Sequence, residues 1–261
     1  SNQQHYVMQA IHQSRSFSEV MRLIMLLQNV CSPFIAASYF QEQGCGYWLL
    51  RDRVGLGKQN QFITEVFCTA LVSLSQHVMA HRIKFHFGFR WPAPRYIQEY
   101  EENLGYRNHF SQAFNIIAVD LRLMATASAT RNDLNKWHAM HQAKPLINTA
   151  QTFLELLRGL MVKHPNDGLP EIARRMATSP ATLKRKLKEH GVSFKQLQDE
   201  IKSHQAMHCL IIKGMNNEQS ALSLNISDLT NFRRAIKRWT GKTPSELKCH
   251  SSFLPIIPHR N

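Results

Sequence analysis

Apolar residues in the last third of the chain recur at three- and four-residue spacing in short runs broken by turn formers, the pattern of a string of short helices. From Asn216 to Lys248 it is clearest: Asn216 or Asn217 suits a first cap, and Ala221, Leu222 and Leu224 supply apolar positions. Asn225 falls where the chain must turn, because Asn tolerates the left-handed conformation. Ser227 then reads as the cap of a second helix, with Leu229, Phe232, Ala235, Ile236 and Trp239 on one face and Arg233, Arg234, Lys237 and Arg238 on the complementary faces. Gly241 suits the position after the helix end, and Pro244 with Ser245 opens a short final turn.

The same grammar appears upstream. A helix is predicted from Asn148 to Val162, burying Phe153, Leu154, Leu157 and Leu160, and the run HPNDG breaks it. Leu169 to Ala177 follows with Pro170 in the tolerated first turn, then Thr178, Ser179 and Pro180 form turn and cap. The next helix buries Leu183 and Leu187, presents Lys184, Arg185, Lys186 and Lys188, and stops at Gly191. Two helix-turn-helix patterns are thus separated by a predicted helix from Ser193 to Lys213. At about 1.5 Å per residue this joint is about 30 Å long, close to one DNA turn.

The first half alternates between periods. Phe17 to Val30 reads as a helix with Ser16 as cap and Val20, Leu23, Ile24 and Leu27 along one stripe. Strands are predicted at Phe34 to Phe40 and Tyr47 to Leu50, joined by a hairpin through QEQGCG. Phe62 to Met79 reads as a long amphipathic helix buried along Phe62, Val66, Ala70, Leu74 and Val78. Ile83 to Arg90 alternates with period two, placing Ile83, Phe85, Phe87 and Phe89 on one side and Lys84, His86, Gly88 and Arg90 on the other. WPAP ends that strand, Tyr96 to Leu104 returns to helix closed by Gly105, and a last strand pair is predicted at Tyr106 to Phe110 and Phe114 to Val119. The fold class that follows is a mixed α+β N-terminal domain and an all-α C-terminal domain with two helix-turn-helix modules joined by a long helix.

The formal charge is +14, and Ile147 to Lys248 holds 17 Lys and Arg against 9 Asp and Glu. A basic excess alone suits membrane surfaces and plain solubility as well as nucleic acid, so it counts because it coincides with the helical motifs. Five cysteines, odd in number and without CxxC spacing, indicate neither a disulfide framework nor a zinc knuckle. Apolar runs such as MRLIMLL and CTALVSL fall short of the roughly 18 residues that span a bilayer, and no signal-peptide pattern opens the chain. The expected compartment is the cytoplasm, with no membrane partner. Because the first residue is Ser, some native N-terminal sequence is expected to be missing.

Patterns for chemistry are sparse. Val54 to Lys58, VGLGK, resembles a phosphate loop superficially but lacks the following Ser/Thr and the full glycine spacing, and reads as a turn. His77 and His81 stand four apart with His86 shortly after, but no HExxH or nearby carboxylate accompanies them, so surface or partly buried histidines are expected. With no nucleophile, paired-acid or dinucleotide pattern, neither catalytic residues, a metal nor a cofactor is assigned.

Phe232, Arg234, Ala235, the run KRWTG and Pro244 resemble the signature of AraC/XylS-type transcription regulators; Ser179, Pro180, Thr182, Leu183, Arg185 and Leu187 with Gly191, Ser193 and Phe194 resemble the first module of the same domain. The pattern over Pro94, Tyr100, Gly105, Phe110, Asn115 and Asp120 is similar to the N-terminal effector domain of an AraC-like subset, from about Ser16 to Trp137 and without its helical beginning. The resemblance implies an effector-binding or dimerisation domain over 1–146, a DNA-binding domain over 147–250 and a tail over 251–261. It implies base-facing side chains at Ala181, Thr182, Lys184 and Arg185 and at Leu229, Thr230, Arg233 and Arg234, with Lys188, Lys237 and Arg238 on phosphates. Where the family has Ile-Ala in the first helix of the second module, this chain has Ser220-Ala221, so Ser220 replaces a buried apolar residue.

A transcription regulator, not an enzyme, is the resulting expectation, most relatives being activators. Its partners would be double-stranded DNA, RNA polymerase, a second copy of the chain and a small anionic effector. Lys84, His86 and Arg90 are candidates to meet that anion, against the plainer reading of a solvated strand face. Two other classes remain: a ligand-independent architectural DNA binder, and an enzyme domain fused to a DNA-binding tail.

Overall fold

The computed structural model describes residues 2–128, 132–144, 151–252 and 254. The chain divides into two compact units, one formed by 1–51, 61–150 and 253–261 and the other by 52–60 and 151–252. The predicted boundary after residue 146, the helix start at Asn148 and most of the tail fall outside the described residues.

In the N-terminal unit, α1 (Asn2–His12) buries Val7, Ala10 and Ile11 and packs on α7 (Asp133–Ala143). Sequence reading missed α1, whose few apolar anchors make a faint pattern. Helix α2 (Phe17–Leu26) buries Phe17, Val20, Met21, Leu23 and Ile24; Ser16 is its N-cap residue but its side chain makes no capping bond. The predicted helix does not run on to Val30, because a separate turn, α3 (Gln28–Cys31), follows Leu27. Across these helices Glu19 receives Lys136 Nζ at 2.7 Å and Arg15 Nε meets Asp133 at 2.9 Å.

Strands β1 (Ile35–Glu42) and β2 (Cys45–Asp52) form the expected hairpin. Its tip is Gln43-Gly44, with φ of 48° and 78°, the left-handed pair that matches strand twist in a two-residue turn. Beyond α4 (Asn60–Met79) come β3 (His86–Gly88), α5 (Ile97–Leu104), β4 (Asn108–His109), β5 (Ile116–Asp120) and α6 (Leu121–Ala125). The sheet order is β1-β2-β5-β3-β4. β5 runs antiparallel to β2, Cys45 opposite Asp120, and to β3, Phe87 opposite Ile117; β3 and β4 are parallel.

Over Ile83 to Arg90 the predicted apolar side is buried, but Gly88 on the other side is buried as well, and the ladder is shorter. Ile83, Phe85, Phe87 and Phe89 are buried and Lys84 and Arg90 exposed. Phe85 N–H is spent locally on Ile83 O, so regular pairing starts only at His86. The predicted strand at Tyr106 to Phe110 shrinks to Asn108–His109.

The buried face of α4 corrects the sequence reading. Thr64, Cys68, Leu71, Val72, Ser75, Val78 and Met79 are buried, whereas Phe62 and Val66 are 59% and 50% exposed. Small polar residues turn inward because their hydroxyls find partners: Ser75 Oγ donates to Val72 O and accepts from Ile83 N. By length and composition Gly57–Met79 passes as a membrane span, contrary to the expectation that no segment does. Its inward-facing Thr64 and Ser75 suit the core helix of a folded domain.

The C-terminal unit holds α8 (Phe153–Lys163), α9 (Leu169–Arg175), α10 (Pro180–Glu189), α11 (Phe194–Met207), a π-helical stretch His208–Ile212, α12 (Asn217–Ser223), α13 (Leu229–Thr240) and α14 (Pro244–His250). Leu154, Leu157, Ile172, Ala173, Leu183, Leu187 and Leu197 form the core of the first module. Buried Arg158 reaches Glu200 at 2.9 Å, joining α8 to α11. The joint predicted from Ser193 to Lys213 is helical, with α-helix giving way to the π-helical turns after Met207.

Candidate nucleic-acid interface

Both modules turn the same way. After α9, Ala177 adopts φ 51° and Thr178 N–H returns to Ala173 O; after α12, Asn225 adopts φ 55° and Ile226 N–H returns to Ala221 O. In the first module Ser179 caps α10, its Oγ accepting from Thr182 N–H at 3.1 Å, with Pro180 in the first turn. In the second the cap is Asp228, whose carboxylate accepts from Thr230 and Asn231 N–H at 2.8 and 2.9 Å. The predicted cap Ser227 is displaced because the second turn is one residue longer from its left-handed residue to its cap. Asp228 was overlooked although Asp is as good a cap as Ser and stands next to the first helical residue.

Each of the two helices buries one face and exposes the other. Leu183 and Leu187 anchor α10, while Ala181, Lys184, Arg185 and Lys188 are exposed and Thr182 is half-buried. Phe232 and Ile236 anchor α13, while Thr230, Arg233, Arg234, Lys237 and Arg238 are exposed and Leu229 is half-buried. Arg185 Nη1 lies 3.0 Å from Glu189 one turn on, and Arg238 lies 3.4 Å from Asp199 on α11. Such exposed pairs are weak and exchange readily for phosphate or base partners.

Ser220 occupies in α12 the place that Ile172 fills in α9. It is fully buried, and its Oγ has no hydrogen-bond partner. An orphaned buried hydroxyl costs about 1–3 kcal/mol, so Ser220→Ala is expected to stabilise the second module by about 1 kcal/mol. Urea unfolding checks this, and a destabilised variant would contradict it.

Sequence reading also missed the contribution of 52–60 to this unit. Arg53, 1% exposed, makes a two-point ion pair with Glu155 on α8, Nε to Oε1 at 2.9 Å and Nη2 to Oε2 at 2.6 Å. Thr152 Oγ donates to Arg53 O, and His190 Nδ1 lies 3.0 Å from Val54 O. A Cβ on Gly55, where φ is 89°, would meet His190 O at 2.2 Å, so only glycine fits. The VGLGK segment is thus a turn: Asp52 occupies the N–H groups of Val54, Gly55 and Leu56 that a phosphate would need. The only local clue to the strap was its glycines, because the partners of Arg53 and Val54 lie about a hundred residues on.

The N-terminal candidates lie on and beside β3. Lys84 and Arg90 are exposed, and His86 Nε2 lies 2.9 Å from Arg107 Nη1. Among the described residues, cavities in this unit and in the C-terminal unit are lined by other residues. His77 packs against His12, ring centroids 4.5 Å apart, and not against His81, whose Nδ1 lies 3.0 Å from Met79 O. Burial, then the neighbouring His77, holds the His12 imidazole below its ordinary value. Among the described residues no three His, Cys, Asp or Glu side chains cluster as metal ligands.

Two modules, each presenting a basic helix over a turn of the same design, define a double helix-turn-helix domain. Residues 172–249 match a helix-turn-helix domain, and residues 4–127 match the arabinose-binding domain of AraC transcription regulator, N-terminal. The chain belongs to the AraC-type transcription regulators. The N-terminal match begins at residue 4 and so includes α1, earlier than the start at Ser16 read from the sequence. An ornithine utilization regulator of Pseudomonas aeruginosa is 27% identical over 203 residues, 76% of this chain and 60% of that protein. GadX of Escherichia coli O6:H1 is 31% identical over 84 residues, 32% of this chain and 31% of GadX. The crystal structure of transcriptional regulator CdpR from Pseudomonas aeruginosa aligns over 94% of this chain and 81% of its own, with 14% identity and a TM-score of 0.42. The chain therefore spans less than two thirds of the length of these two curated relatives.

Proposed function

We propose that this chain binds DNA sequence-specifically by placing α10 and α13 in successive major grooves on one face of a duplex and regulates transcription in response to an effector. The observation that carries the reading is the repeated division of those two helices into a buried apolar face and an exposed basic face. Arg185 and Arg234 read bases, since a guanidinium can pair with O6 and N7 of one guanine at once. Ala181, Thr182, Lys184, Leu229, Thr230 and Arg233 complete the base-facing surfaces, and Lys188, Lys237 and Arg238 hold phosphates. Family resemblance supports activation through RNA polymerase, action as a homodimer and a cytoplasmic location.

Selection of bound duplexes from a random pool tests this reading. It should yield two short conserved elements about 10 base pairs apart, and inserting about 5 base pairs between them should lower affinity sharply by turning one element to the far face. Enrichment of no sequence would favour the architectural reading. Tolerance of the insertion would contradict one rigid pair of reading helices.

A further inference from the structure

A cavity of about 340 Å³ lies in the N-terminal unit between α2, the β1–β2 hairpin and α6, at the lower end of the size range of small-molecule sites. Met21, Met25, Leu121 and Met124 supply an adaptable apolar wall. Tyr39 and Trp48 supply an aromatic side, their ring centroids 4.9 Å apart.

That wall depends on a missing Cβ. One added at Gly46 would stand 2.9 Å from both Leu121 Cδ2 and Trp48 Cη2, so the bare backbone lets both side chains lie against the strand.

The charged side chain that lines the cavity is a cation. Trp48 is 3% exposed, so the cavity meets little more than an edge of its ring. Arg22 lines the cavity from α2, and no Asp or Glu does. The Tyr39 hydroxyl donates to Gln41 Oε1 at 3.1 Å. Burial raises the Tyr39 phenol while the charge of Arg22 opposes the rise, which puts the guanidinium's field at this site.

We propose that this cavity binds a small carboxylic acid with an apolar body, its carboxylate held by Arg22 and its body against Tyr39, Trp48 and the methionines. The assignment rests on the effector-responsive reading above and places the anion away from Lys84, His86 and Arg90.

The test is calorimetric titration of the whole chain with 3-phenylpropionate and octanoate, each beside its neutral amide. At least one acid should bind, with its amide about tenfold weaker, as the loss of a charge-assisted pair implies. Arg22→Gln, at an exposed helical position, should weaken the acid about tenfold and leave the amide unchanged. Ala125→Phe, at an exposed position on the rim, should abolish binding of both while leaving thermal unfolding unchanged. Failure of both acids to bind, or unchanged acid affinity in both variants, would overturn the proposal. Acid binding that leaves DNA occupancy unaltered would support the cavity and count against the effector-responsive reading alone.

Discussion

Arg53→Met is expected to lower the stability of the C-terminal unit by about 3–5 kcal/mol, the usual cost of stranding one partner of a buried ion pair. The pair is nearly dry, with side-chain exposures of 1% for Arg53 and 8% for Glu155. Glu155 has a second duty: its carboxylate accepts from Thr152 N–H at 3.1 Å to close the capping box of α8. Burial pushes the Glu155 carboxyl up, but the hydrogen bonds and charge of Arg53 with the bonds of Thr152 outweigh it and hold the group below its ordinary value of 4.5. A carboxyl depressed on folding stabilises above its unfolded value, and that contribution is lost as pH falls through the folded value. The gap between wild type and Arg53→Met should therefore be full at neutral pH and shrink in acid. Hydrogen exchange at α8 and α10 reads it for this unit alone. Arg53→Met with Glu155→Leu should recover most of the loss, because an apolar pair leaves no stranded charge. A single variant within about 1 kcal/mol of wild type would mean that the strap bears no weight.

Arg185→Ala and Arg234→Ala are each expected to cost about 1–3 kcal/mol on the selected site and to relax preference at one or two base pairs. Neither should unfold the protein, since both side chains are exposed and the anchors of their helices, Leu183 with Leu187 and Phe232 with Ile236, are untouched. Arg185 must give up Glu189 to read a base, so Glu189→Ala should not weaken binding and provides the control. Lys188→Ala should instead weaken all sequences alike and reduce the salt slope by about one unit, as loss of one phosphate contact does.

What the sequence revealed was local. Turn residues, caps and helical faces of the C-terminal unit are set by neighbours within a few positions, and Asn216, Asn225 and Gly241 stand as read, with Asn216 capping α12 and Gly241 at φ 75°. The apolar side of Ile83 to Phe89 was legible because its burial follows the pleat even where ladder bonds stop. The inward face of α4 was hidden because Thr64 and Ser75 are polar by type and buried through hydrogen bonding or close packing, which hydropathy does not register. The Arg53–Glu155 clamp and the cavity behind Trp48 join segments far apart in the chain, so no window of sequence contains them. Ser220 is the intermediate case: comparison with the family pattern flagged it, and only packing could show that its hydroxyl finds no partner.

Base reading by α10 and α13 is measured by the affinity ratio of the whole chain for its selected site over random duplex at fixed salt, compared with the same ratio for Arg185→Ala and Arg234→Ala. The wild-type ratio should be about 10³ or more, reduced about tenfold or further in each variant because random-duplex binding barely changes. Equal losses on selected and random DNA would remove base reading from these two arginines and with it sequence-specific binding through α10 and α13.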